Sequence, residues 1–380
     1  MTEAGTPGVA YGLRGVTVDD TRICKIIGEE GRLYYYGYNI LELAERCTYE
    51  EVVWLLLHGK LPNKTELAQI TKDLKDARGL PFGVRDVIKS APKTSIPMDV
   101  LRTAASALAL TDPAPNDNSP EGIVRKAIRL IAQFPEIVAM DYRLRRGEEP
   151  VAPNPELDHA ANFLYMLHGK APGKDAARTM DVALVLHAEH SFNASTFTAR
   201  VIAATLSDMY SAITGAIGAL KGPLHGGANE GVIMTLLEIR EPANIKPWLE
   251  KKFQDKGFRL MGFGHAVYKT LDPRAIVLKK YSKKTGEERG TTKWYEMSDQ
   301  IEGIMKGREK PLYPNVDFYS ASTYYMMGLP PEIYTPIFAV SRVVGWCAHV
   351  IEQQAHNKLI RPAANYIGEV DKPFVPMDQR

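Results

Sequence analysis

The sequence predicts a mainly α-helical protein with a small β element near its N-terminus. Beyond about residue 38, apolar residues recur at helical spacing in segments that begin with capping residues and end near proline or glycine. The best strand candidates are residues 15–18 and 32–36, which are separated by a turn-like stretch at 28–31. The sequence shows neither a repeat of fixed period nor the strand–helix alternation of a doubly wound sheet.

Two capping-box spacings, Thr48 with Glu51 and Asn63 with Glu66, mark helix starts. Further helices are predicted at residues 98–110, 122–146 (bent or interrupted at Pro135), 157–167, 174–188, 196–220, 228–240, 316–327 and 332–358. Residues 207–220 and 333–351 are apolar on nearly every face. We therefore expect these two segments to be buried, either between layers of one chain or at a subunit interface.

The length of 380 residues allows a large core, and we expect two domains or one large domain with an appendage. The net charge is only +2, but residues 251–310 contain fifteen Lys or Arg and eight Asp or Glu, an excess of seven positive charges. Such an asymmetry favours a phosphorylated or polyanionic ligand, although lysines 279–284 alone are more typical of a solvated surface. Aromatic residues are not interleaved with the basic ones, so a nucleic-acid site is not indicated.

The three cysteines, Cys24, Cys47 and Cys347, lie far apart and form no CxxC pair. Neither a disulfide framework nor a cysteine-based zinc site is therefore indicated. Residues 1–11 lack a basic segment followed by an apolar run, and no apolar stretch approaches the roughly 20 residues of a membrane helix. We expect no membrane span and a cytoplasmic location.

His225 lies in a bend of glycine and proline, residues 221–230, immediately before a predicted helix. Gly222, Gly226 and Gly227 permit left-handed or crowded backbone conformations that let a substrate approach closely. Near a helix N-terminus, the macrodipole and the unpaired amides oppose protonation of the imidazole. The sequence therefore predicts a neutral histidine that donates a hydrogen bond, although a lone histidine in such a turn more often caps a helix or fills the core.

Three other stretches contain chemically useful side chains. His265 also follows a glycine-rich bend, and Asp272 has the position of an N-cap that would fix Arg274 at a helix start. Asp317 lies among aromatic and aliphatic residues, where desolvation raises the pKa of a carboxyl group toward that of a useful base, although an N-cap role is an alternative.

His187 and His190 are spaced to share one face of a helix, either as a buried or substrate-facing pair or, less favoured, as metal ligands. Arg342 interrupts an otherwise apolar helix, where a buried guanidinium requires an anionic partner, and Arg361 follows that helix. Neutral donors, a base and arginines that hold carboxylates suit enolisation beside a carbonyl followed by attack on a dicarboxylate electrophile.

Three motifs closely resemble the catalytic motifs of citrate synthases, in the same order and at matching spacing. They occupy residues 222–229, 262–269 with 272–274, and 314–317. The resemblance extends from about Gly12 to Tyr366 and so covers nearly the whole chain. It implies an almost wholly helical homodimer, with a large domain of residues 1–225 and 323–380 and a small domain of residues 226–322 that closes over it.

The resemblance also implies the reaction, condensation of acetyl-CoA with oxaloacetate and water to citrate and CoA through an enol or enolate and citryl-CoA. Asp317 would be the base, His225 the donor to the thioester oxygen, and His265 the donor to the keto group. The ketoacid would be held by His190, Arg274, Arg342 and, from the partner subunit, Arg361. The coenzyme would lie on the backbone of Leu260, Met261, Gly262, Phe263 and Gly264, with Lys310 near a phosphate. No metal and no permanently bound cofactor are implied; the CoA thioester is a substrate.

One position departs from the family pattern. Many prokaryotic members have an arginine directly after the second catalytic histidine, where this chain has Ala266, so some anion contacts with CoA would differ. The nearest alternative is 2-methylcitrate synthase, which condenses propionyl-CoA with the same ketoacid. More remote alternatives are a non-catalytic helical dimer that binds nucleic acid through the basic segment, and a metal-dependent hydrolase.

Overall fold

The computed structural model describes residues 8–13 and 15–380, and helices dominate it as predicted. A three-stranded antiparallel sheet near the N-terminus has the order β1 (Cys24–Ile27), β2 (Arg32–Tyr35), β3 (Tyr38–Asn39). The predicted strand at 32–36 and the turn at 28–31 are confirmed. The predicted strand at 15–18 is wrong, because Val16 and Val18 are exposed and no strand covers them.

Sixteen α-helices follow in the described part of the chain: α1 Ile40–Arg46, α2 Tyr49–His58, α3 Lys64–Asp76, α4 Phe82–Ser90, α5 Pro97–Leu108, α6 Pro120–Arg145, α7 His159–His168, α8 Lys174–His187, α9 Ala194–Ala203, α10 Met209–Leu220, α11 Ala228–Ile239, α12 Ile245–Lys252, α13 Pro273–Arg289, α14 Lys293–Lys306, α15 Val316–Met326 and α16 Tyr334–Ala355. Most predicted helices are therefore confirmed to within a few residues. Both capping boxes are formed, at the starts of α2 and α3. Helix α6 continues through Pro135.

The single helix predicted at 196–220 is wrong, because the segment forms two helices, α9 and α10. Between them Leu206 adopts a left-handed backbone with a φ of 63°. Asp208 then caps α10, since its carboxylate accepts a hydrogen bond from the main-chain N–H of Ser211 at 3.0 Å. In the sequence this break is marked only by the polar pair Ser207 and Asp208 within a largely apolar segment.

Helix α16 runs through the centre of the core, where it packs against α6, α8, α9 and α10. The predicted burial of this segment is confirmed within a single chain, since nearly all of its side chains are shielded from solvent. Its polar side chains Arg342, Trp346 and His349 are buried with the apolar ones. Their spacing of four and three residues places them on one face of the helix.

Within residues 8–13 and 15–380, no helix is both long enough and apolar enough to cross a bilayer.

Candidate active site

His225 lies in the turn between α10 and α11, two residues before the N-cap Gly227. The neighbouring Gly226 donates its main-chain N–H to the carbonyl oxygen of Leu220 at 3.0 Å. A Cβ at Gly226 would lie 2.3 Å from that oxygen, so only glycine fits. None of the three glycines has a positive φ, and close packing excludes a side chain at Gly226, whereas a Cβ at Gly227 would meet its nearest atom at an ordinary 3.7 Å.

The contacts of His225 define which ring nitrogen carries the proton. Its Nε2 lies 2.8 Å from the Oγ of Ser195 and 3.3 Å from the main-chain nitrogen of the same residue, whose N–H points at it. Because a main-chain N–H is always a donor, Nε2 must accept, and the proton of the neutral ring is on Nδ1. Burial, reinforced by the positive charge of Arg342, lowers the pKa of His225 to about 4. The ring is neutral as predicted, but burial rather than the helix terminus is the main cause.

His265 has the opposite tautomer. Its Nδ1 accepts hydrogen bonds from the main-chain N–H groups of Val267 at 3.0 Å and Tyr268 at 3.2 Å, so the proton of the neutral ring is on Nε2. Burial lowers the pKa of this imidazole to about 4, and the charge of Arg274 contributes. The two histidines are therefore both neutral donors, one through Nδ1 and the other through Nε2.

The loop that carries His265 is bound to the segment that precedes Asp317. The main-chain N–H of Gly264 donates to Tyr313 at 2.9 Å, and that of Asn315 donates to Gly262 at 2.9 Å. Gly262 has a φ of 78°, and a Cβ there would lie 2.5 Å from a side-chain carbon of Val232. A shift of one loop would therefore move the other.

Asp317 lies in the first turn of α15, and the cap of that helix is Asn315, which accepts the main-chain N–H of Asp317 at 3.0 Å. The alternative that Asp317 itself is the cap is therefore wrong. Burial raises the pKa of its carboxyl group to about 6, although the positive charge of Arg274 and a hydrogen bond from Asn229 oppose the rise. Asp317 is mostly ionised at neutral pH, yet basic enough to accept a proton.

Arg274 is fixed by Asp272, which caps α13 as predicted. The carboxylate of Asp272 accepts the main-chain N–H of Arg274 and its Nε–H, both at 3.0 Å, and an Nη2–H at 2.8 Å. It also accepts the main-chain N–H of Val316 at 3.2 Å, next to Asp317. Burial alone would lower the pKa of the guanidinium, but the adjacent carboxylate outweighs burial and raises it.

Arg342 is 1% exposed, and its Nε–H donates to the main-chain carbonyl of His187 at 2.6 Å. The expected anionic partner is not in contact, since no carboxylate of the described residues forms an ion pair with this guanidinium. Burial lowers its pKa, and the charge of Glu189 opposes the shift. Only the Nε–H has a hydrogen-bond partner among the described residues, so the remaining N–H groups are available to an anionic ligand.

His187 and His190 do not share a helical face, because α8 ends at His187. The Nδ1 of His187 is 2.7 Å from the carbonyl oxygen of Ala183 within the helix. His190 lies beyond the helix end, 3.2 Å through its Nε2 from the hydroxyl of Tyr268, with its ring centroid 5.0 Å from that of His265. Burial, followed by the charge of Arg274, lowers the pKa of His190 well below its usual value. His190 thus joins the predicted site, and His187 packs in the core.

The contacts described above and the charges of Arg274 and Arg342, which act on the other four, link six of the predicted residues: His190, His225, His265, Arg274, Arg342 and Asp317. Arg361 and Lys310 are exposed and make none of these contacts among the described residues. A cavity of about 220 Å³ adjoins the loop, lined by Gly264, His265 and the segment before Asp317. A larger cavity of about 950 Å³ lies between α3 and α6 and contains none of the predicted site residues.

The basic segment 251–310 holds fewer free cations than its net charge implies. Lys279 and Lys306 both form ion pairs with Glu302, whose side chain is buried. Lys310 forms no ion pair within residues 8–13 and 15–380 and is exposed near the loop that precedes Asp317. It is therefore a cation near the site that an external phosphate could meet.

Sequence reasoning assigned no role to Ser195, Asn229 or Trp346, which contact the catalytic candidates or their supports. Asn229 lies in the first turn of α11, where its Nδ2 donates to the Oγ of Ser320 on the helix of Asp317. Trp346 donates its Nε1–H to the Oγ of Ser195 at 3.1 Å. An N-cap spacing from Asn193 to residue 196 is the only local signal near Ser195, and it does not point to a histidine thirty residues away.

Comparisons with known proteins all find similarity to citrate synthases or 2-methylcitrate synthases. A family model described as citrate synthase, C-terminal domain, matches residues 12–363. The chain is 49% identical to citrate synthase 2 of Bacillus subtilis, over 97% of this chain and 98% of that one. It is 44% identical to 2-methylcitrate synthase 1 of Corynebacterium glutamicum, over 98% of each chain. It matches the citrate synthase of Thermoplasma acidophilum, solved in ternary complex with carboxymethyl coenzyme A and oxaloacetate, with a TM-score of 0.92 and 35% identity over 99% of this chain and 100% of that one.

Proposed function

This chain belongs to the citrate synthase family of transferases, and from that membership we propose that it condenses acetyl-CoA with oxaloacetate and water to give citrate and CoA. The observation that carries the assignment to this site is the carboxyl group of Asp317. Its pKa of about 6 is that of a base poised at neutral pH. The positive charges of Arg274 and Arg342 act on this carboxylate, and the same two charges act on the neutral imidazoles, Arg274 on His265 and Arg342 on His225.

In the first step Asp317 removes a proton from the acetyl methyl group while the Nδ1–H of His225 donates to the thioester oxygen. An α-proton of a thioester is far too weakly acidic for a free carboxylate, so the enolate or enol requires an oriented donor. One such donor is worth about 3 kcal/mol in comparable oxyanion sites. A neutral imidazole suits this role because an imidazolium would tend to release its proton.

In the second step the enol carbon attacks the keto carbon of oxaloacetate, and the Nε2–H of His265 donates to the keto oxygen and protonates the new alkoxide. Arg274 and Arg342 hold the two carboxylates, with His190 beside them. The free N–H groups of Arg342 support this role, since its buried guanidinium otherwise lacks a paired anion. Water then hydrolyses the thioester of citryl-CoA, which releases citrate and CoA.

We place the coenzyme against the backbone of residues 260–264, with a phosphate near Lys310. Gly264 supports this placement, because it has a φ of 75° with open space at its Cβ position, so a flat group can approach the main chain there. Ala266 is exposed and supplies no charge, so the coenzyme contacts rest more heavily on Lys310. Neither a metal nor a resident cofactor takes part in the proposed steps.

We also propose a homodimer in which Arg361 reaches the partner's site. In the single chain Arg361 lies beyond the end of α16, in an exposed segment whose apolar side chains include Ile367 and Phe374, 88% and 83% exposed. Phe82 and Leu110 are likewise 78% and 88% exposed. Large apolar side chains at such exposure are typical of surfaces that another subunit covers.

Closure of residues 226–322 over the rest of the chain is part of the same proposal. Gly226 lies at the first boundary. The second predicted boundary, between residues 322 and 323, falls inside the continuous helix α15, so we place that joint at Gly328, which has a φ of 81°. A cytoplasmic location remains a prediction, with which three unpaired cysteines are consistent.

The second candidate function is that of a 2-methylcitrate synthase, and the similarity to the relative from Corynebacterium glutamicum supports it. One methylene is worth about 1–3 kcal/mol in a pocket, so even a real preference between acetyl-CoA and propionyl-CoA can be modest. Membership in an enzyme family leaves the non-catalytic nucleic-acid-binding dimer and the metal-dependent hydrolase without support.

The test measures thiol release with oxaloacetate and either acetyl-CoA or propionyl-CoA, in the wild type and in Asp317→Asn. We expect turnover in the wild type and a loss of about 100- to 10,000-fold in the variant. No release from either acyl-CoA would refute the proposed reaction, and full activity of Asp317→Asn would refute the proposed base.

The shared site is tested by mixing inactive Arg361→Ala subunits with inactive Asp317→Asn subunits. Mixed dimers should contain one intact site and recover part of the activity, whereas Asp317→Asn mixed with itself should recover none. If mixed dimers form without any recovery, Arg361 does not act across the interface.

A further inference from the structure

We propose that Trp346 is a positioning residue for the reaction, which holds His225 in the tautomer that donates through Nδ1. The inference rests on the role proposed above for His225. Trp346 is completely buried in α16. Trp346 acts through Ser195. The Nε1–H of Trp346 donates to the Oγ of Ser195 at 3.1 Å, and this Oγ lies 2.8 Å from the Nε2 of His225.

The hydrogen bonds around the Oγ of Ser195 can be counted. A serine hydroxyl has one proton to donate and two lone pairs to accept with. An indole N–H can only donate, so Trp346 occupies one lone pair. The other two neighbours are the Oδ1 of Asn193 and the Nε2 of His225, each at 2.8 Å. The Oδ1 of Asn193 also accepts the main-chain N–H of Thr196 at 3.1 Å, which fixes it as an acceptor.

Trp346 therefore leaves the hydroxyl of Ser195 with one proton and one lone pair, of which the proton is donated to the Oδ1 of Asn193 or shared with the Nε2 of His225. If the Nε2 of His225 carried a proton, it would have to donate into the last lone pair of Ser195 and would also face the main-chain N–H of that residue at 3.3 Å. A donor that already binds a hydroxyl oxygen makes that hydroxyl a better donor and a poorer acceptor. Trp346 thus disfavours the Nε2–H tautomer, and the proton of His225 stays on Nδ1.

Position on the helix strengthens the inference. Trp346 lies one helical turn after Arg342, on the same face of α16. The helix that holds the proposed ketoacid ligand Arg342 therefore also orients the proposed thioester donor His225. The effect of Trp346 on His225 should be separable from binding of the ketoacid, because Arg342 does not contact Ser195 among the hydrogen bonds of the described residues.

The first experiment replaces Trp346 by phenylalanine, which removes the N–H and keeps an aromatic ring. We expect kcat to fall about three- to tenfold, with the KM for oxaloacetate changed less than twofold. The matched control is Trp54→Phe, since the Nε1 of Trp54 is buried without a hydrogen-bond partner among the described residues. That variant should keep the wild-type kcat. An unchanged kcat in Trp346→Phe would overturn the inference.

A double-mutant cycle separates this effect from loose packing. Ser195→Ala removes the hydroxyl through which Trp346 acts, so Trp346→Phe combined with Ser195→Ala should be no slower than Ser195→Ala alone. Multiplied losses in the double variant would show that Trp346 acts otherwise and would overturn the inference. If Trp346→Phe does not fold, 3-benzothienylalanine at this position keeps the bicyclic shape without the N–H, and the same kcat loss is expected.

The tautomer itself is measured by ¹⁵N NMR of His225 in the resting protein. The wild type should show a protonated Nδ1 and an unprotonated Nε2, and Trp346→Phe should show a larger Nε2–H population. An Nε2–H tautomer in the wild type would overturn the inference. Absence of thiol release in the wild type would instead refute the proposed reaction, so the two failures are distinguishable.

Discussion

The raised pKa of Asp317 predicts an acid limb in the pH–rate profile, and its size follows from the structure. With a pKa of about 6, the carboxyl group is about nine-tenths ionised at pH 7 and about one-tenth ionised at pH 5. Only the ionised form can accept the methyl proton. We therefore expect kcat/KM for acetyl-CoA to fall about tenfold between pH 7 and pH 5.

The histidines do not produce a limb in this range. The pKa values of His225 and His265 are about 4, so both rings stay neutral from pH 5 to pH 8. The assay measures initial rates of thiol release at low acetyl-CoA and saturating oxaloacetate in buffers of constant ionic strength. Activity regained on return to pH 7 excludes acid denaturation. A profile that is flat down to pH 5 would show that burial does not raise the pKa of Asp317 and would refute the reasoning.

Three further predictions concern stability. The folded-state pKa of Asp317 exceeds its ordinary 3.8, so the ionised carboxyl group disfavours folding at pH 7. Asp317→Asn should therefore raise the free energy of unfolding at pH 7 by about 3 kcal/mol, and in urea titrations this gain should vanish below about pH 4. Asp272→Ala leaves the buried guanidinium of Arg274 without its carboxylate and should cost about 3–5 kcal/mol by the same measurement; a loss under 1 kcal/mol would contradict the pairing. Gly345→Ala should lower the free energy of unfolding by about 1–3 kcal/mol, since a Cβ there would lie 2.3 Å from a backbone oxygen. The control Gly303→Ala, with open space at its Cβ, should raise the free energy of unfolding by about 0.5–1 kcal/mol.

The helical class and most helices could be predicted because their signals are local. The capping boxes at Thr48 and Asn63 and the apolar spacing that follows them determine where α2 and α3 begin. The strand predicted at 15–18 failed because alternation of Val16 and Val18 does not create a partner strand. The break between α9 and α10 was missed because Leu206 resembles any other apolar residue of a helix, and its left-handed φ is not visible in the sequence.

The site residues likewise divide into those with a local sequence signal and those without one. His225, His265 and Asp317 stand in motifs that could be identified from consecutive residues. Ser195 and Trp346 could not be identified, because their contacts join residues 30 and 151 positions apart in the chain. The cause of the low pKa of His225 was likewise beyond sequence reasoning, since it depends on how deeply the turn is covered and on the approach of Arg342.

The polar face of α16 constrains how acyl-CoA selectivity could be redesigned. Arg342 and Trp346 lie one turn apart on one helix, so a substitution that tilts or shifts α16 to enlarge the acyl pocket would displace the proposed ketoacid ligand Arg342 and the proposed donor His225 at the same time. Such a substitution would therefore lower the rate of the reaction as well as change the preference for the acyl group. A designer who seeks a larger acyl group should therefore begin on the side of the site opposite α16.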